Sequence, residues 1–239
     1  MLRITVWNEN FHEKHLPGMK ERHPEGLHGT IAAILRQEED FVVRTATQDD
    51  PECGLTEEVL NDTDVLFWWG HVTHNDVPDS VVERVHNHVL QGMGLVVLHS
   101  GHFSKIFRKV CGTPCNLTWH DDSKERLFVV NPGHPIAQGL PPYFEIPNEE
   151  CYGEPFGIPE PDELVFLGWY NTGEVFRSGC CFHRCNGRIF YFQPGHETDS
   201  SFFIPEVQQI YKNAARWCAP VKRVPELTCP FQPPLEKVD

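Results

Sequence analysis

Apolar positions in the first half of the chain alternate between two periods. Residues 3–7 form a short apolar run of strand type. Leu27, Ile31, Ile34 and Leu35 recur at helical spacing, and residues 41–46 return to a strand. Residues 57–60 suggest a short helix. Residues 64–69, ending in Phe67, Trp68 and Trp69, are almost continuously apolar, as expected of a parallel strand covered on both faces. Asp76, Pro78 and Asp79 open a helix whose stripe is Val81, Val82, Val85 and Val89, and Gly92 and Gly94 close it. Residues 94–98 make a fourth buried strand, followed by a helix over 103–110. This alternation predicts a parallel sheet with helices on both faces.

Beyond about residue 120 the pattern changes. Residues 126–130 have strand character. Residues 131–163 are acidic and dense in Pro and Gly, and no element is read there. Residues 164–170 and 174–177 flank the turn Asn171, Thr172, Gly173 as a hairpin, and 187–192 form a last strand. A final helix from Pro205 carries Val207, Ile210, Tyr211, Ala214 and Trp217. The reading is one α/β domain over residues 1–220 with a β-rich insertion in its C-terminal half, then an extended Pro-rich tail over 221–239. The polar stretch 8–26 is too long for a tight turn, and loops of that length tend to carry function.

Composition narrows the class. With 239 residues, 40% hydrophobic and 23% charged, the chain is globular and large enough to form a core without disulfides. Lys and Arg number 20 against 34 Asp and Glu, a net charge of −14 that argues against nucleic acid or an anionic membrane as partner. No apolar run approaches the ~20 residues of a membrane span. The first ten residues lack a secretory h-region, so a cytoplasmic location is expected. The nine cysteines are odd in number and read as thiols. Cys111/Cys115 and Cys181/Cys185 have a spacing permitted for structural zinc, but small buried apolar residues are the stronger reading, above all for Cys180, Cys181 and Cys185 near a strand. Neither a G-x-G-x-x-G nor a P-loop pattern occurs, so no nucleotide cofactor is expected.

Histidine stands out, with 14 residues. In an open parallel sheet, ligands bind beyond the carboxyl ends of the strands. Those ends deliver Asn8 and Glu9, then His71 and His74, then His99, Ser100 and His102, and finally His196 and Glu197, while His28 lies close to a helix start. Neutral imidazole suits a divalent metal, zinc foremost, so His28, His71, His99 and His196 are candidate ligands. Glu9, Glu150, Glu197 and His102 are candidates for proton transfer. Asn8, Tyr152, Trp169 and Arg177 are candidates for holding a hydroxyl-rich substrate, with the acidic segment 149–155 as a pocket rim. Trp68 and Trp69 read as core. Residues 98–102 resemble a nucleophile elbow, with His99 on a strained strand-to-helix turn. The full G-x-S-x-G is absent, which leaves Ser100 weakly supported as a hydrolase nucleophile.

Taken together, Asn8-Glu9, residues 24–29, Trp68 to His71, residues 92–102, residues 149–156 and Gly195 to Glu197 resemble the ThuA family of trehalose-utilisation proteins, over residues 3 to about 220. The resemblance implies a flavodoxin-like, class I glutamine amidotransferase-like fold. It also implies a role in using disaccharides such as trehalose, alongside dehydrogenases that make 3-keto sugars. An amidotransferase Cys-His-Glu triad is not met, because His99 stands at the apex and the last strand ends Gln193, Pro194, Gly195, His196, Glu197; glutaminase activity is not expected. The leading expectation is an enzyme acting on a sugar or keto-sugar with a His-rich, metal-dependent site. The alternative is a non-catalytic sugar-binding or regulatory module on a degenerate amidotransferase scaffold. A small-molecule sugar and further copies of the same chain, as a homo-oligomer, are the expected partners.

Overall fold

Two strands, Val65–Trp69 (β3) and Gly94–Leu98 (β4), are buried at every position and form the middle of the structure. The computed structural model describes residues 1–236. Around the central pair, Leu2–Asn8 (β1), Phe41–Thr47 (β2) and Gly187–Phe192 (β9) add in parallel, in the order β2-β1-β3-β4-β9. The chain leaves β1 for one edge through β2 and returns on its other side through β3, so β1 is the topological switch point.

Alternation along the strands divides the core. Phe67, Trp69, Val96 and Leu98 face one layer with Leu27, Ile31, Val207 and Ile210. Those helical residues belong to Gly26–Leu35 (α3) and Pro205–Cys218 (α7). Leu66, Trp68, Leu95 and Val97 face the opposite layer, against Asp79–Gln91 (α5) and Lys105–Cys111 (α6). Trp68 is buried and stacks on Trp7 with ring centroids 3.9 Å apart. Gly92 ends α5 at φ +123°, where a Cβ would sit 2.2 Å from the Lys222 carbonyl oxygen, so only glycine lets the tail cross there. The first part of the tail is pinned by Val224 N–H to the Gln91 carbonyl and Arg223 to the Thr63 carbonyl. Residues 237–239 of the expected tail lie outside the described residues. Among the described residues no helix is long and apolar enough to cross a membrane.

The C-terminal half departs from expectation. Four antiparallel strands extend the same sheet as β9-β8-β7-β5-β6, with β5 at Thr118–Val129, β6 at Tyr143–Gly153, β7 at Glu163–Tyr170 and β8 at Val175–Arg184. Strand β6 lies in the segment for which no element is read from sequence. Its buried set includes Glu149 and Glu150 beside Phe144 and Ile146, and Pro147 interrupts it, so the apolar alternation is masked. The polar stretch 8–26 also holds two short helices, His12–His15 (α1) and Met19–Arg22 (α2), and the short helix expected after β2 is Glu57–Asn61 (α4).

One buried carboxyl is unrelated to the strand ends. Glu125 on β5 is fully buried, accepts from the Ser178 hydroxyl at 3.0 Å, and keeps its second oxygen without a partner. Burial pushes its pKa up to about 8, against the pull of the Ser178 and Tyr170 hydroxyls. The folded carboxyl is thus a weaker acid than the unfolded one. Stability is full below the ordinary value of 4.5 and falls as pH rises toward 8. Glu125→Gln keeps the acceptor for Ser178 and removes the titration. Thermal melts should show the variant level with the parent near pH 4.5 and above it at pH 8, by about 2–4 °C for each kcal/mol relieved.

Candidate functional site

The histidines and carboxylates of the candidate site lie just beyond the carboxyl ends of the central strands. His99 follows β4 directly and has φ +52°, a left-handed backbone that a non-glycine residue adopts at a cost on the order of 1 kcal/mol. The conformation is held from both sides of the ring. Nδ1–H donates to the Gln193 carbonyl at 3.0 Å, and Tyr152 stacks on the imidazole with centroids 5.1 Å apart. With Nδ1–H committed to that carbonyl, Nε2 is the nitrogen turned toward the site. That atom lies 3.0 Å from Glu150 Oε2 and 3.3 Å from the Tyr152 hydroxyl.

His71, one residue past the turn that ends β3, donates from Nδ1 to Glu197 Oε2 at 3.0 Å, which again leaves Nε2 free. His196 lies beyond β9. The preceding turn is held by the buried Glu149 carboxyl, which accepts from the Gly195 and His196 amides, both at 3.1 Å. The result is convergence. One donor atom each from His71, His99, His196 and Glu150 lies within 4.8 Å of the other three. Glu150 Oε2 is buried and lacks hydrogen-bond geometry to any partner despite its closeness to His99. Two lone pairs that face each other at 3.0 Å need a proton or a cation between them, so the residues fit a divalent ion.

Charge at the site follows from its neighbours. Burial opposes ionisation of Glu150, yet His99, His71 and His196 around it hold its pKa down to about 2. Burial likewise opposes the charge on Glu197, but His71, His196 and His12 hold it well below the usual carboxylate range. His71 is lowered by burial and raised more by Glu197, Glu150 and Glu9, for a net upward shift. Burial pushes His102 down to about 3 and His74 to about 4, so both are neutral imidazoles at neutral pH.

Two cavities border the cluster. The larger, of 380 Å³, is lined by His71, His102, Phe103, Trp119, Glu150 and Tyr152 among others. The smaller, of 230 Å³, is lined by Glu150, His196, Asn148 and Asp199 among others. Glu150 faces both. His102 donates from Nδ1 to the Cys115 carbonyl at 2.7 Å, which leaves its Nε2 as an acceptor.

The other candidates lie apart from this convergence. His28 contacts Asn8 at 3.3 Å and is not among the converging donors. Asn8 is wholly buried and ties Glu13 and the Asn10 amide into the loop after β1. Glu9 accepts from the Val72 and Thr73 amides and the Thr73 hydroxyl, a geometry for holding the His71 loop rather than for moving a proton. Trp169 is half-exposed on β7 beneath the Arg126 guanidinium. Arg177 forms a two-pronged pair with Glu154 at 2.7 and 2.9 Å. Neither lines either cavity. The Ser100 hydroxyl donates to the Gly70 carbonyl at 2.8 Å, and among the described residues no histidine accepts from it, which removes the nucleophile reading. Among the described residues neither cysteine pair joins a group of converging donors, and Cys111, Cys115, Cys181 and Cys185 are free thiols.

Two site residues escape a sequence reading. His12 on α1 lies 3.5 Å from Glu197 and joins it and His71 in a second group of donors. Its only signal is the length of the loop after β1. Trp119, 63% exposed at the cavity mouth, lies in the part of β5 that the sequence pattern does not mark.

The role of Glu9 is testable. Glu9→Ala strands the loop amides and is expected to cost about 1–3 kcal/mol in urea unfolding, with a smaller loss for Glu9→Gln, which keeps one acceptor. Unchanged stability in the alanine variant would contradict this holding role.

Known proteins share this fold. A protein from Parabacteroides merdae described as ThuA-like superposes with a TM-score of 0.71 at 14% identity, over 95% of this chain and 92% of its own. Another from Bacteroides uniformis, also described as ThuA-like, gives 0.66 at 16% identity, over 91% of each chain. A Thermoplasma acidophilum protein described as one of the subunits of GMP synthase gives 0.52 at 14% identity, over 91% of this chain and 94% of its own. Likeness at this level of identity speaks for the fold, which is flavodoxin-like and of the class I amidotransferase type. No curated protein matches the sequence. The profile of the ThuA family, described as trehalose utilisation, matches residues 3–218, and the chain belongs to that family.

Proposed function

We propose that the protein is an enzyme of sugar utilisation whose substrate is a keto-sugar derived from a disaccharide such as trehalose, and that it works with a divalent ion, zinc by donor preference, held on His71, His99 and His196. The observation that carries the reading is the convergence of these three imidazoles with Glu150, whose orphaned oxygen faces His99 Nε2. Two of the three rings are oriented from behind. His99 is oriented by a backbone carbonyl and His71 by a carboxylate, the outer-shell arrangement typical of metal-binding histidines. Three protein ligands leave a position open for substrate, and an ion there supplies Lewis-acid stabilisation of a developing oxyanion.

The chain's own groups supply the rest. Glu150 borders both cavities, and its other carboxylate oxygen, the one not turned to His99 Nε2, is the group that takes a proton from a C–H or O–H next to a ketone. Neutral His102 accepts from a sugar hydroxyl through Nε2, and the Tyr152 hydroxyl donates beside it. Trp119 at the mouth offers a flat face to a sugar ring. Membership of a family described as trehalose utilisation supports the carbohydrate class.

Elemental analysis of untagged protein is expected to find one divalent ion in this cluster, lost in His99→Ala and in His196→Ala. Metal content near zero, or unchanged in both variants, would sink the metal assignment. Incubation with 3-keto-trehalose followed by NMR is expected to show product. Glu150→Gln should keep the ion and lose turnover by about 10²–10⁴-fold. Clear binding of the sugar with no product, with or without added metal, would instead identify a binding or regulatory module.

A further inference from the structure

A third group of donors shares no residue with the two at the histidine site. On paired strands β5 and β6, His120 stands directly opposite Cys151. A bulge between His120 and Ser123 turns the end of β5, and the β7–β8 turn is drawn against it. That contact is fixed by the Lys124 amide donating to Asn171 Oδ1 at 2.9 Å and the Asn171 amide donating to the Lys124 carbonyl at 3.0 Å. The turn carries Glu174 to the pair. One donor atom each from His120, Cys151 and Glu174 lies within 4.8 Å of the other two.

Three features distinguish this from a chance surface grouping. His120 Nδ1–H donates to the Asp121 carbonyl at 3.0 Å, which leaves Nε2 with its lone pair, 3.4 Å from Glu174 Oε1. Glu174 Oε2 is a buried oxygen with no partner. Cys151 is wholly buried, and its thiol makes a long contact of 3.8 Å to the Tyr152 carbonyl and neighbours Glu174 and Thr172. The three groups together make an imidazole, a sulfur and a carboxylate, a donor set that suits zinc and disfavours magnesium or calcium, which take oxygen ligands. Ligand atoms around a tetrahedral zinc sit roughly 3.3–3.8 Å apart, so closing the cluster needs side-chain shifts of about an ångström.

We propose that His120, Cys151 and Glu174 form a second cation site, separate from the histidine cluster, that takes zinc or a similarly thiophilic divalent ion and pins the β7–β8 turn to β5 and β6. As the metal–sulfur bond forms, the Cys151 thiol proton leaves to solvent, and water completes the fourth position. The consequence for the main site is mechanical. Cys151 lies between Glu150 and Tyr152 and opposite the strand that carries Trp119, so an ion here stiffens the wall of the larger cavity.

Cobalt(II) added to metal-free, untagged, reduced protein tests the site. The histidine cluster offers only nitrogen and oxygen donors, so a sulfur-to-cobalt charge-transfer band in the near ultraviolet does not come from it, and a Cys185→Ser, Cys229→Ser background removes the exposed thiols as its source. The band is expected in the parent, absent in Cys151→Ser with one fewer cobalt bound, and intact in His99→Ala. His120→Ala, whose side chain is partly exposed, is expected to weaken binding about tenfold or more and guards against misfolding of the serine variant. No band at excess cobalt, or a band that survives Cys151→Ser, would overturn the proposal. Loss of metal only from the histidine cluster leaves the band in place, so the two sites fail independently.

Discussion

Burial of β3 and β4 on both faces is the constraint from which the site follows. Strands covered by helices above and below have no polar face, so their sequences are apolar throughout and their backbone groups are paired along the ladder. Chemistry can enter only where the strands stop. Residues 70–74, 99–102 and 193–197 are the continuations of three adjacent strands, β3, β4 and β9. Their side chains meet because the strands are neighbours in register, not because they are near in sequence.

At that edge the protein orients imidazoles with acceptors from behind. The Gln193 carbonyl fixes the tautomer of His99, the Glu197 carboxylate fixes that of His71, and buried Glu149 shapes the turn that presents His196. The positive φ of His99 belongs to the same arrangement. A turn this tight at the top of β4 aims the ring back over the sheet, and the Gln193 bond and Tyr152 stack offset the strain. The scaffold is shared with amidotransferases, but what the apex offers here is a nitrogen lone pair, and the neighbouring serine is tied to a backbone carbonyl.

Carboxylates show how environment separates identical side chains. Glu150 is held charged by three imidazoles, Glu149 is pushed well upward by burial and by its acidic neighbours, and Glu125 is pushed up by burial alone. Glu149 and Glu150 are adjacent on one strand and differ only in which side of it they occupy. A carboxyl pushed upward and one held down are thereby built one residue apart, the first holding a turn and the second facing both cavities.

The parallel half of the fold, the apolar stripe of α5, the hairpin at Asn171 to Gly173 and the strained position of His99 were legible in the sequence, since each rests on short-range pattern or turn chemistry. The convergence of His71, His99 and His196 could be read once a parallel sheet was assumed, because strand ends in such a sheet share one edge. Strand β6 could not, since buried glutamates and Pro147 hide its alternation. The separate fates of the candidate residues were beyond sequence as well. Glu9 and Asn8 sit at the carboxyl end of β1 as expected, yet backbone amides and loop side chains occupy them; Arg177 is taken by Glu154, and His28 turns to Asn8. By itself the sequence determined which residues reach the carboxyl edge, because period and turn signals are local. Only the tertiary structure decided which of them are left with a free lone pair, because that depends on partners brought from strands and turns distant in the chain, such as the Gln193 carbonyl that fixes the ring of His99 at a separation of 94.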